Sequence, residues 1–141
     1  MTLFLVRHGR PLVDRDRPAA EWELDPAGFD DVWALRESGR LPQRAAWFCS
    51  PEPKAVATAQ LLTEGDVGIV DDLREHEHPS ACRDRVVPAV RRILDVHSGE
   101  DVVLVGHGTA WTITVAELTG SAPDLDCWLS LATPDVLVVS I

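Results

Sequence analysis

Five short apolar runs, at residues 2–7, 45–49, 68–71, 102–106 and 136–141, alternate with stretches of helical periodicity. That alternation most narrows what the chain can become. Residues 102–105 (VVLV) and 136–139 (VLVV) are continuously apolar, the pattern of strands covered on both faces. Strands that take turns with helices pack as a mostly parallel sheet, because parallel neighbours need a long crossover between them. The expected fold is therefore α/β: a three-layer sandwich with a mostly parallel central sheet flanked by helices.

The intervening segments carry helix punctuation. In "LDPAGFDDVWALRESG", Asp25 is placed as N-cap, Pro26 at the first helical position and Gly39 as the stop, with Phe29, Val32, Trp33 and Leu35 as an apolar stripe. "SPEPKAVATAQLLTEG" reads as a second helix with Ser50 as its cap. In "CRDRVVPAVRRILDVHSG", Val86, Val87, Val90, Ile93 and Leu94 recur at helical spacing, and Pro88 either kinks that helix or marks its start. "GTAWTITVAELTG" follows the fourth apolar run and stops at Gly120, with Trp111, Ile113 and Val115 as core positions.

A chain of 141 residues without linkers or repeats is expected to form one domain, residues 1–141. No apolar run approaches the ~20 residues that span a bilayer. Residues 2–6 are too short for a secretory signal core and lack a basic lead-in, so the expected location is cytoplasmic. The formal charge of −10 disfavours nucleic acid, anionic membrane surfaces and polyanionic substrates. Cys49, Cys82 and Cys127 leave an odd thiol and no CxxC spacing, which disfavours a disulfide framework and a cysteine zinc knuckle.

Two of the expected strands end in histidine. "TLFLVRHGRP" delivers Arg7, His8 and Gly9, and "VVLVGHGTA" delivers His107 between two glycines at a helix start. Open α/β sheets bind ligands beyond the carboxyl ends of their strands, and helix N-termini favour anions. His8 by itself is compatible with a nucleophile, a metal ligand or a strand-end histidine satisfied by a hydrogen bond. With Lys54 at the start of the second helix and Glu75 after the third strand, the set becomes a pocket for a tetrahedral dianion with a proton source at its rim.

These segments resemble the histidine phosphatase superfamily, the phosphoglycerate-mutase-like proteins, in its shortest members. "LVRHGRP" is similar to the family's histidine signature, "LDPAGFDDVWAL" to its early helix, and "FCSPEPKAVATAQLL" to its Ser-Pro-x-x-Arg-Ala-x-x-Thr-Ala segment. "DDLREHE" resembles its acid segment and "VVLVGHG" its second-histidine strand. The resemblance spans nearly the whole chain and implies a metal-independent phosphatase without cofactor. It implies His8 as nucleophile, Arg7, Lys54 and His107 as phosphoryl ligands, and Glu75 as general acid and base. The implied partner is a phosphorylated small molecule or a phosphoprotein side chain. The short stretch after Glu75 implies an open pocket and hydrolysis rather than mutase chemistry.

The sequence departs from the family at several positions. Lys54 stands where the family has arginine, in a chain whose other twelve basic residues are all arginine. Lysine offers one compact charge where arginine offers a planar fork. Pro11 and Asp14 replace a frequent threonine and asparagine, with Arg10 placed to offset Asp14. These departures keep open a second reading, a phosphate- or phosphoprotein-binding module with weakened catalysis. His76 and His78 compete with Glu75 for the acid's role, and with Cys82 they form a zinc set that lacks a fourth ligand at a recognised spacing. A metal-dependent hydrolase is the third reading. Trp22, in the polar loop of residues 12–23, is either a substrate contact or a loop anchor, and His97 is expected near a helix C-terminus. The oligomeric state stays open, with residues 136–141 as a possible pairing edge.

Overall fold

A computed structural model describes residues 1–75 and 78–141. His76, an alternative acid and a member of the zinc set, lies outside the described residues. The elements run β1 (Thr2–Arg7), α1 (Phe29–Glu37), β2 (Ala46–Cys49), α2 (Pro53–Leu62), β3 (Gly68–Ile69), α3 (Pro79–Val96), β4 (Val102–Gly106), α4 (Gly108–Thr119), α5 (Leu125–Ser130) and β5 (Asp135–Ser140). The strands form one sheet in the order β3-β2-β4-β1-β5. All its pairings are parallel except β1 with β5. The expected α/β sandwich with a mostly parallel sheet is the fold observed.

Side-chain alternation along the central strands divides the interior into two layers. Leu3 and Leu5 of β1, with Val102 and Leu104 of β4, face α3 and α4 and pack with Val86, Val90 and Trp111. Val6, Val103 and Val105 face the other way, onto Val32 and Leu35 of α1 and Ala59 and Leu62 of α2. All five residues of β4 are buried, as its unbroken apolar sequence requires. Among the described residues, no helix is long and apolar enough to cross a membrane.

Several local expectations change. Asp25 does cap, accepting from Ala27 N at 2.9 Å, but it opens a single 3₁₀ turn at Pro26–Gly28 before α1 begins. Trp33 is not in the core: it is 41% exposed, with the Arg36 guanidinium 5.2 Å over its ring. Pro88 lies inside α3 rather than at its start. It sits on the exposed face, where the carbonyl it leaves without a helical donor can be hydrated. Ser50 does not cap α2. Glu52 precedes Pro53 and is driven to extended backbone, ψ 137°, so the helix starts at Pro53 and Ser50 is released for another use. The short α5 has no counterpart among the sequence-based elements.

Candidate active site

β1 and β4 are adjacent and parallel, with Arg7 in register with Gly106, so the next residue of each strand emerges side by side. Those residues are His8 and His107. His8 N donates to Gly106 O at 2.9 Å, and the imidazole centroids lie 5.4 Å apart at 64°. On the other flank of β4, Ser50 N donates to Val105 O at 2.9 Å, which brings the start of α2 to the same sheet edge. The structure thus gathers Arg7, His8, Lys54, Glu75 and His107 at the carboxyl ends of β1, β4 and β2.

His8 is 6% exposed. Its Nδ1 lies 2.6 Å from the carbonyl oxygen of Gly9, which can only accept, so Nδ1 carries the proton. Burial pulls the pKa down and the Gly9 hydrogen bond raises it. Nearby His107, Lys54 and Arg7 lower it further, to about 3. The ring is therefore neutral at ordinary pH with its Nε2 lone pair unprotonated. Gly9 fixes this geometry: its N–H donates to Thr58 Oγ1 at 2.9 Å, and a Cβ there would sit 2.7 Å from Val32 Cγ2 and 2.8 Å from Leu24 Cδ1.

Arg7 donates from Nη1 to Leu131 O at 2.7 Å, while its buried Nε has no partner. A Cβ on Gly108 would come within 3.2 Å of that Nε, so glycine here leaves the guanidinium its place. His107 is fully buried at the N-cap of α4. Its Nε2 lies 2.8 Å from Glu52 Oε2 and 2.9 Å from Ser50 Oγ, and its Nδ1 is unpartnered. Among the described residues, Arg7 Nε and His107 Nδ1 are the two buried side-chain polar atoms without a partner.

Glu75 is exposed at the mouth, where its Oε1 accepts from Thr109 N in the first turn of α4 at 3.2 Å. It lines a cleft of about 250 Å³ together with Arg7, His8, Thr109, Trp128 and Leu129. A neighbouring cleft of about 290 Å³ shares Glu75 and Thr109 and is lined by Lys54, Glu52 and Ala19. Lys54 is buried there, donating to Ala19 O at 2.6 Å and to Glu52 Oε1 at 3.0 Å.

Glu52 is the residue that sequence reasoning missed. It is 7% exposed, and its carboxylate accepts from Lys54, His107 and the backbone N–H of Glu75, the last at 2.9 Å. Burial raises its pKa, but the hydrogen bond and charge of His107 outweigh it, with help from Glu75 N and Lys54, bringing it to about 2. A signal was present: an acid two residues before the lone lysine of an otherwise apolar segment.

Elsewhere, Arg10 pairs with Asp25 at 3.4 Å rather than offsetting Asp14, which faces Arg17 at 3.9 Å. Trp22 anchors its loop, donating from Nε1 to Asp14 O at 2.8 Å and Arg17 O at 3.2 Å. His97 stands at the α3 C-cap, with Nδ1 3.2 Å from Glu100 Oε2. Among the described residues, no group of three or more His, Cys, Asp or Glu side chains is placed to hold a metal ion.

The family model "Histidine phosphatase superfamily (branch 1)" matches residues 71–140, the half of the chain that carries Glu75 and His107. A phosphoserine phosphatase from Entamoeba histolytica, solved with phosphoserine, superposes with a TM-score of 0.80 at 14% identity, covering 97% of this chain and 89% of its own. YhfR from Bacillus stearothermophilus gives 0.80 at 19% identity, over 99% of this chain and 91% of that one. A mycobacterial glucosyl-3-phosphoglycerate phosphatase, solved with VO3, gives 0.79 at 20% identity, over 99% and 92%. At such identities the likeness establishes the fold. No curated protein matches the sequence significantly. The chain belongs to the histidine phosphatase superfamily.

Proposed function

We propose that the chain is a phosphomonoesterase that works through a covalent phosphohistidine at His8, without a metal. The observation that carries this reading is the pairing of a neutral, Nδ1-protonated His8 with the two unpartnered buried nitrogens beside it, Arg7 Nε and His107 Nδ1. An unmet buried polar atom costs about 1–3 kcal/mol, a cost that a phosphoryl group offsets by accepting from Arg7 Nε and, when the ring carries both protons, from His107 Nδ1.

In the first step His8 Nε2 attacks phosphorus, the N–P bond forms and the ester P–O bond breaks. The leaving oxygen takes its proton from the Glu75 carboxyl, which Thr109 N orients. In the second step water attacks phosphorus and gives its proton to the Glu75 carboxylate, and the N–P bond breaks. Phosphate leaves and His8 returns neutral. Burial of His8 among cations supports a resting neutral nucleophile.

The open clefts and the formal charge of −10 support a small phosphometabolite or a phosphoprotein side chain as substrate. A second reading, a phosphate- or phosphoprotein-binding module with weakened turnover, is favoured by Lys54, whose ammonium is already held by Ala19 O and Glu52. Acid-quenched mass spectrometry after brief exposure to an aryl phosphate separates the two. A transient phosphoryl adduct on wild type that is absent from His8→Ala supports the enzyme. Absence of adduct and of phosphate release, with vanadate still bound, overturns it in favour of the binding module.

A further inference from the structure

We infer that Glu52 sets the charge this site accepts: it holds Lys54 as an internal counter-ion, so Lys54 balances Glu52 instead of gripping the phosphoryl group. The inference rests on the phosphate-site reading and deepens it.

The contacts support it from both partners. Glu52 Oε1 takes Lys54 Nζ at 3.0 Å, while Oε2 takes His107 Nε2 at 2.8 Å and Glu75 N at 2.9 Å. Two of the three ammonium protons of Lys54 are spent, on Ala19 O and on Glu52. Lys54 also lines the neighbouring cleft, whereas His8 and Arg7 line the other. The anchoring is tight: both side chains of the pair are below 10% exposed, at 6% and 7%. In so dry a place a charge pair separates reluctantly, because each partner left alone carries a large desolvation cost.

The consequence is a site in which one cation, Lys54, is already matched before substrate arrives. Lys54 is set against Glu52, Arg7 is left facing the cleft beside His8, and His8 is neutral. Phosphate is then held by Arg7, the start of α4 and, when its ring carries both protons, His107 Nδ1, and leaves readily after hydrolysis. Glu52 thereby becomes a specificity-determining residue, limiting the cationic charge available to one phosphoryl group.

The test is the affinity for inorganic phosphate, read by calorimetry on the full chain. Glu52→Gln frees one cation and is expected to bind phosphate at least about tenfold tighter, as is Glu52→Leu, which removes the same charge with a different shape. The double variant Glu52→Gln/Lys54→Gln restores the balance and is expected within about threefold of wild type. A loss of tenfold or more in the double variant overturns the inference, since Lys54 then grips phosphate itself. Unchanged affinity in both Glu52 variants overturns it too.

A second measurement needs no variant. Lys54 is the chain's single lysine, so labelling with [15N]lysine gives one ammonium signal. That signal is expected to stay nearly fixed on phosphate saturation, and a large shift refutes the inference. Failure of wild type and every variant to bind phosphate or vanadate is a different result, which removes the phosphate-site reading itself.

Discussion

Burial of a neutral His8 makes the protein's stability depend on pH, and the size of the effect follows from the structure. The folded pKa is about 3 against an unfolded value of 6.5. Between those values the unfolded chain binds a proton that the folded chain refuses, so stability falls as pH drops through 6.5 and goes on falling to about 3. At pH 4 the loss relative to pH 8 is about 3 kcal/mol, taking 1.36 kcal/mol per unit. Glu52 works in a lower window. Its pKa moves from 4.5 to about 2, so its contribution is present above 4.5 and lost as pH falls through 2. At pH 4 it has given up only about 1 kcal/mol, less once solvent at the cleft mouth screens it. His8 therefore dominates from pH 6.5 to 4. His8→Asn, whose amide can still donate to Gly9 O, should abolish most of that slope while Glu52→Gln leaves it in place. Urea unfolding at pH 8, 6, 5 and 4, followed by tryptophan fluorescence, measures it. The same slope in wild type and His8→Asn would show that His8 is not a buried neutral group.

Two further perturbations address the site's packing and its proton source. Gly9→Ala places a methyl against Val32 and Leu24 at less than van der Waals distance, and overpacking of this kind should cost about 1–3 kcal/mol in thermal unfolding. Val32→Ala should recover part of that loss in the double variant. Glu75→Gln should slow hydrolysis of an alkyl phosphate by about 100-fold but that of a nitrophenyl ester by less than about tenfold, because the better leaving group needs no proton. Equal losses on both esters would assign Glu75 to binding rather than proton transfer.

The sequence disclosed the fold where pattern and packing agree. The bounds expected for β1 and β4 are those observed, since each apolar run is cut off by a polar residue, Arg7 and His8 in one and His107 in the other. Elsewhere tertiary context decided. The expected third strand shrinks to Gly68–Ile69, which pairs on one side only, with β2. Trp33 fits the stripe of α1 by spacing yet turns out to Arg36. The six residues of α5 are too few to show a period, and Leu125 and Leu129 stay exposed, so no apolar face announced it.

The site was legible to the extent that strand ends dictate it. Parallel pairing of two strands that each end in histidine brings the two backbones side by side, and the imidazole centroids lie 5.4 Å apart. Glu52 was hidden for the opposite reason. Its neighbours in space are 55 residues away at His107 and 23 away at Glu75, and nothing local marks a carboxylate as buried. Its only near signal is Lys54, two residues on. In a chain that otherwise uses arginine, a lysine beside that acid becomes intelligible once the pair is seen. A compact ammonium fits between one carboxylate oxygen, at 3.0 Å, and the Ala19 carbonyl, at 2.6 Å. The lysine and the acid are thus one charge pair in physical terms. Neither can be judged as a gain or loss of phosphate affinity without the other.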